Sequence, residues 1–136
     1  MDPYAGIVLS LVRDLNKPLR SPRILAVVGP AAARSQFTQA LGRELAYRVD
    51  MAGVVSKYIG ETEQKLAAVF ARANQSSAIL FFDEADALFG RRTDVKDSHD
   101  RFANLSTNFR GVLAFGFERY PKRRSPLLGP ARRIDL

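Results

Sequence analysis

Two five-residue apolar runs, Ile24-Leu25-Ala26-Val27-Val28 and Ala78-Ile79-Leu80-Phe81-Phe82, limit what this chain can fold into. Neither alternates apolar with polar residues, so each reads as a strand covered on both faces of a parallel sheet. The first run stops at Gly29-Pro30 and the second at the acidic group Asp83-Glu84-Ala85-Asp86. Between them, Phe37, Ala40, Leu41 and Leu45 share one side of a helix expected over residues 35–46, with Gly42 a weak point in it. Residues 47–50 follow as a second strand. Leu66, Val69, Phe70 and Ala73 then share one face of a helix expected over residues 62–74. Alternation of strand and helix implies an α/β domain with a parallel sheet and right-handed crossovers. Ligands bind such sheets beyond the carboxyl ends of the strands, where Gly29 and Asp83 both lie.

With 136 residues, there is room for one domain. Before the first strand, Pro3, Ile7, Leu11 and Leu15 suggest a helix over residues 4–15, followed by a polar, proline-containing linker. The absence of cysteine excludes a disulfide framework and cysteine-ligated zinc. The lone His99 has no second His or Cys to share a metal with. No run reads as a secretory signal or membrane span, which makes the cytoplasm the expected location. The net charge of +7 is unevenly placed: 13 Lys/Arg face 12 Asp/Glu up to Asp100, and 8 face 2 from there on. Basicity therefore belongs to the final stretch, where Lys122, Arg123, Arg124, Arg132 and Arg133 read as a solvated end, which argues against a nucleic-acid protein.

The apolar strand ending in Asp83-Glu84 has the form of a Walker B motif. An aspartate at a buried strand's tip can hold Mg²⁺, and the adjacent glutamate can polarise a water for attack on a γ-phosphate. The bland alternative is a solvated acidic turn that caps the next helix. Its companion should be G-x-x-x-x-G-K-[ST] after the first strand, and the chain reads Gly29-Pro30-Ala31-Ala32-Ala33-Arg34-Ser35-Gln36. Arg34 stands where glycine lets the backbone wrap the phosphates, Ser35 replaces the phosphate-binding lysine, and Gln36 replaces the Mg²⁺-binding hydroxyl. Each lost charge-assisted contact costs about 1.5–3 kcal/mol. In the opposite direction, the Arg34 guanidinium could supply the missing positive charge.

Taken together, the stretch Val54-Val55-Ser56-Lys57-Tyr58-Ile59-Gly60-Glu61-Thr62-Glu63, the helix that follows and the strand ending in Asp83-Glu84 resemble the AAA core of the AAA+ ATPases. The continuation Gly90-Arg91-Arg92-Thr93 through Ser98-His99-Asp100-Arg101 resembles the bacterial branch that includes the ATPases of contractile injection systems. This resemblance implies ATP and Mg²⁺ as cofactors, with Asp83 for metal and Glu84 for water activation. Gly29, Pro30, Arg34, Ser35 and Gln36 then stand at the phosphate loop. It also implies a homo- or hetero-oligomeric ring that grips a protein substrate through a pore loop matching Lys57, Tyr58, Ile59 and Gly60. Asn108 resembles the residue that senses the γ-phosphate, although the segment that separates it from Asp100-Arg101-Phe102-Ala103-Asn104 in the family is missing.

The expected organisation is an N-terminal helix and linker (1–23), a truncated AAA+ core (24–110) and a basic Pro/Arg-rich tail (111–136). The fold expected is a P-loop NTPase-like parallel sheet flanked by helices and incomplete at its C-terminal side. The expected function is that of an AAA-type ATPase domain with hydrolysis impaired by its degenerate phosphate loop. Two alternatives stay open: a non-catalytic ring or interaction module, and a truncated gene fragment.

Overall fold

The computed structural model describes residues 4, 6, 7, 9, 10, 23–51, 59–73, 79–86, 109, 111–122, 128 and 131–136. Its strands are β1 (Arg23–Val28), β2 (Leu45–Asp50), β3 (Ile79–Asp83), β4 (Val112–Phe117) and β5 (Arg132–Asp135). Helix α1 (Ala31–Leu41) and a 3₁₀ turn (Gly42–Glu44) join β1 to β2, and helix α2 (Ile59–Ala73) precedes β3. All strands are parallel, in the order β2-β3-β4-β1-β5. The expected α/β architecture with a parallel sheet and flanking helices is thus the one observed. Among the described residues, no helix is long and apolar enough to cross a membrane.

Alternation along the strands divides the apolar side chains between two cores. On one face, Leu25 and Val27 of β1, Ile79 and Phe81 of β3 and Val112 and Ala114 of β4 pack with Phe37 and Leu41 of α1. On the other, Ala26, Leu80, Phe82, Leu113, Phe115 and Phe117 pack with Leu66, Phe70 and Ala73 of α2. This two-sided burial is why the strands read as unbroken apolar runs. Aromatic rings tie the layers together: Phe82 stacks on Phe115 at 5.6 Å between centroids, and Phe70 meets both Phe82 at 5.8 Å and Phe109 at 5.9 Å. Each such ring contributes about 1.5–3 kcal/mol by leaving water.

The structure departs from the sequence reading most in two places, besides an earlier start of α2, at Ile59 rather than residue 62, and of β2, at Leu45 rather than residue 47. Helix α1 begins at Ala31 and stops at Leu41, whereas the apolar spacing suggested residues 35–46. Gly42 ends it, with a φ of 55° that only glycine adopts without strain. Leu45, assigned to the helix face, is instead the first residue of β2. At the other end, three successive alanines carry the helix back to within two residues of β1, as their high helix propensity favours.

The second departure lies in the stretch set apart as a tail, which contains two strands. β4 takes the centre of the sheet, between β3 and β1, and is wholly buried. Val112-Leu113-Ala114-Phe115 is itself an apolar run, but Gly116 and the scattered aromatics before it hid the pattern. β5 adds an edge beside β1, with only Ile134 buried and both arginines exposed. Charged residues on an edge strand discourage pairing with another chain, so its basic composition suits its position. Of the helix expected over residues 4–15, residues 6, 7, 9 and 10 are described and are helical, and Tyr4 meets Phe37 edge-on at 6.0 Å.

Gly116 is the glycine whose missing side chain the sheet requires. A Cβ there would lie 2.7 Å from Asp83 Oδ1 and 2.9 Å from Phe81 Cζ. Both neighbours are buried, so neither can move aside easily. Gly116→Ala is therefore expected to destabilise the domain by about 1–3 kcal/mol, measured by urea unfolding; an unchanged midpoint would contradict this close packing.

Candidate functional site

The buried face of α1 is the stripe Arg34, Phe37, Thr38 and Leu41. Arg34 occupies the end of that stripe nearest the carboxyl ends of the strands, so helical spacing turns a charged residue into the core. Its side chain is 2% exposed. A buried guanidinium needs partners, and Arg34 has three. Its Nε donates to Asp83 Oδ1 at 2.7 Å, Nη1 to the Gly29 carbonyl at 2.6 Å, and Nη2 to Glu84 Oε1 at 3.0 Å.

Asp83 ends β3 on the same face as Phe81, which is the α1 side. Besides Arg34, its carboxylate accepts from the Glu84 amide at 2.9 Å, through Oδ1, and from Arg48 Nη2, through Oδ2. Arg48 comes from the neighbouring strand β2, where it pairs in register with Phe81 and so shares Asp83's face. Burial pushes the Asp83 carboxyl up. Hydrogen bonds from Arg48, Arg34 and the Glu84 amide, with the charge of Arg34, outweigh burial and hold it below the usual carboxylate range.

Central strand β4 organises both flanking loops. The Gly29 amide donates to the Phe117 carbonyl at 2.9 Å, and the Ala85 amide to the Gly116 carbonyl at 3.0 Å. Gly29 is also covered from the edge side, where a Cβ would come 2.9 Å from that of Leu136. Glu84, directly after β3, takes a φ of 55°, a left-handed backbone that is rare for a side chain of this kind. The tight reversal between β3 and the Ala85–Gly116 bond holds it there, with its carboxylate about half exposed.

Each expected site residue can now be placed. Gly29 and Pro30 form the whole connection between β1 and α1, and Arg34, Ser35 and Gln36 are all within the helix. Ser35 is half-buried and its carbonyl accepts from Thr38 Oγ1 at 2.8 Å, while Gln36 is exposed. Asp83 and Glu84 stand together beside Arg34. Ile59 and Gly60 begin α2, whereas Lys57, Tyr58 and Asn108 lie outside the described residues. Sequence reasoning missed Arg48 and Gly116. A basic residue two positions from the end of the strand beside β3 was a usable sign of the first; the second could be found only once β4 was known to adjoin β3.

A sequence profile of the family described as "ATPase family associated with various cellular activities (AAA)" matches residues 28–115. This chain belongs to the AAA family. The AAA relatives include the ATPase family gene 2 protein of Schizosaccharomyces pombe, 38% identical over 103 residues that make up 70% of this chain and 13% of that protein. Spastin from Sus scrofa is 33% identical over 109 residues, covering 76% of this chain and 17% of spastin. A proteasome-associated ATPase of Renibacterium salmoninarum is 36% identical over 74 residues, 49% of this chain and 12% of the relative. The chain thus spans less than a fifth of the length of each. AAA membership implies nucleotide binding and, usually, Mg²⁺.

The groups expected to hold that pair are engaged with one another in this structure. Both Asp83 oxygens accept from guanidinium groups, the Gly29 amide is turned to β4, and the space of a wrapping loop is taken by the first turn of α1. As folded, these residues do not fit a Mg²⁺–nucleotide complex.

Two outcomes follow. Because the folded-state value of Asp83 is lowered, its contribution to stability is present above its unfolded value near about 3.9 and is lost as pH falls through the lower folded value. The gap in unfolding free energy between the parent chain and Asp83→Asn should therefore narrow below about pH 4, read from urea unfolding across pH 3–7; a gap independent of pH would contradict the ion pairs. At Glu84, the left-handed backbone predicts that Glu84→Gly unfolds at higher denaturant than Glu84→Ala, by about 1 kcal/mol. Equal midpoints would remove the case for strain there.

Proposed function

We propose that this chain is an AAA-type ATPase domain in which ATP hydrolysis is impaired. The observation that carries the reading is the Arg34 guanidinium, which links Asp83, Glu84 and the Gly29 carbonyl where the family motif would place phosphate and metal. The parent activity, by resemblance, is Mg²⁺-dependent ATP hydrolysis coupled to remodelling of protein substrates within a homo- or hetero-oligomeric ring. By that resemblance, the positions matching metal, water activation and γ-phosphate sensing are Asp83, Glu84 and Asn108, and those matching the phosphate loop are Gly29, Pro30, Arg34, Ser35 and Gln36. Lys57, Tyr58, Ile59 and Gly60 suit a pore loop, since aromatic contact with a threaded backbone tolerates many sequences. Gly90-Arg91-Arg92-Thr93 supports kinship with the bacterial branch.

The same arginine favours a second reading, a non-catalytic AAA module that packs into a ring beside active subunits. A charged side chain held by three oxygens and 2% exposed leaves a site only at the cost of breaking a buried ion pair, about 3–5 kcal/mol. Any nucleotide must overcome that before it gains its own contacts.

Calorimetry with MgATP separates the readings, on the parent chain and on a variant carrying Arg34→Gly, Ser35→Lys and Gln36→Thr. Impairment at the loop predicts no measurable binding by the parent and micromolar binding by the variant. Binding and turnover by the parent would refute impairment. If neither binds while both unfold cooperatively, the lesion lies elsewhere than the loop, and the non-catalytic module becomes the better account.

A further inference from the structure

The partners of Arg34 are all oxygens: a carboxylate at the end of β3, a second carboxylate on the residue that follows, and the backbone carbonyl just past the end of β1. Oxygen-only surroundings at a buried acidic corner are the chemistry of a hard divalent cation. Here they surround a guanidinium. Arg34 and Arg48 supply two positive charges to the two carboxylates they contact, Asp83 and Glu84, so these ion pairs balance without any ion, and Asp86 lies close enough to feel the Arg34 charge as well. A divalent cation added beside them would bring two further positive charges against a buried arginine, which low-dielectric surroundings penalise severely.

We propose that the Arg34 guanidinium is the resident cation of this corner, so that the domain folds and holds Asp83 and Glu84 in place with no divalent metal. Arg34 is then a replacement for the ion rather than a ligand-binding residue. Helical spacing makes the replacement possible, because Arg34 precedes Phe37 and Leu41 on the buried stripe and these anchor the helix over the same sheet face. The backbone that carries the three oxygens has anchors besides the arginine: hydrogen bonds from the Gly29 and Ala85 amides to β4 hold the two loops. Truncating Arg34 should therefore leave an oxygen-lined space with net negative charge. Mn²⁺ or Mg²⁺ fits that space by charge and donor type, and free guanidinium fits it by shape. Both this role and impaired turnover draw on one side chain, but the experiment below contains no nucleotide, so either can fail without the other.

The 136-residue parent chain, Arg34→Ala and Arg34→Ala/Asp83→Asn are titrated with Mn²⁺ alone, following loss of the free-ion paramagnetic resonance signal and the thermal midpoint. The parent is expected to take up no Mn²⁺ and to keep its midpoint in both Mn²⁺ and EDTA. Arg34→Ala should unfold at a lower temperature, bind one Mn²⁺ per chain and recover part of the lost midpoint. Low-millimolar guanidinium should produce a similar recovery, and sodium at equal ionic strength should not. The double variant should bind no Mn²⁺, since the shared carboxylate is gone. Stoichiometric Mn²⁺ binding by the parent overturns the proposal, as does an Arg34→Ala chain that folds and responds to neither cation. If Arg34→Ala fails to fold without a cation, Mn²⁺ or guanidinium must restore its folding, and the double variant must fold unaided because an amide needs no counter-charge; failure of either overturns the proposal.

Discussion

The bond from Arg34 to Asp83 joins a helix on one face of the sheet to the tip of a strand two places away from the strand that leads into that helix. β1 and β3 are not neighbours, since β4 separates them, and adjacent strands lie about 4.8 Å apart. A long side chain from the first turn of α1 can span that gap at the carboxyl edge, and its fork engages oxygens from both strands' ends at once. Because the guanidinium is buried, each of these contacts offsets a desolvation cost that would otherwise fall on an isolated charge. Helix α1, the turn at Glu84 and the end of β1 are consequently held as one unit. Gly29, Pro30, Arg34, Asp83 and Glu84 all lie within that unit.

The same interaction accounts for the shape of the β1–α1 connection. In a phosphate-binding loop, glycines keep the backbone open so that its amides can surround an anion. Ala31-Ala32-Ala33-Arg34 does the reverse: strong helix formers close the loop into a turn of helix, and the arginine brings a cation into the space the anion would need. Local propensity and long-range charge pairing therefore act in the same direction. Such agreement between levels is what gives a segment one preferred structure. Glu84 shows the opposite relation, a strained left-handed residue held in place by the reversal after β3, as often happens where a fold carries a functional constraint.

Much of this architecture was legible in the residues. Runs without polar interruption identified β1 and β3, because both sheet faces are covered and neither leaves a wet side to mark. The spacing of Leu66, Phe70 and Ala73 identified the apolar face of α2. In the sequence Gly42 looks like a weakness inside a helix, although it is the stop, since the apolar Leu45 beyond it fits a helical period and a strand equally well. The resemblance carried by Lys57 to Glu63 and by Asp83-Glu84 led to the AAA family, whose profile covers residues 28–115. The motif comparison shows what the phosphate loop lacks, whereas what Arg34 does in its place depends on contacts with residues 49 and 50 positions away.

By itself, the sequence determined the α/β class, the two strands that end at Gly29 and Asp83, the departure of the phosphate loop from its motif, and the family, because short-range hydrophobic pattern and motif spacing are written along the chain. Only the tertiary structure decided that a segment resembling a basic tail would supply the central strand β4 and the edge strand β5, and that Arg34 and Arg48 would converge on a single carboxylate. Those outcomes turn on pairings between residues 33 to 107 positions apart, such as Ile79 with Val112, Arg48 with Asp83 and Leu25 with Arg132. No local propensity encodes such pairings; they arise when burial of both sheet faces forces buried charges to find their partners in space.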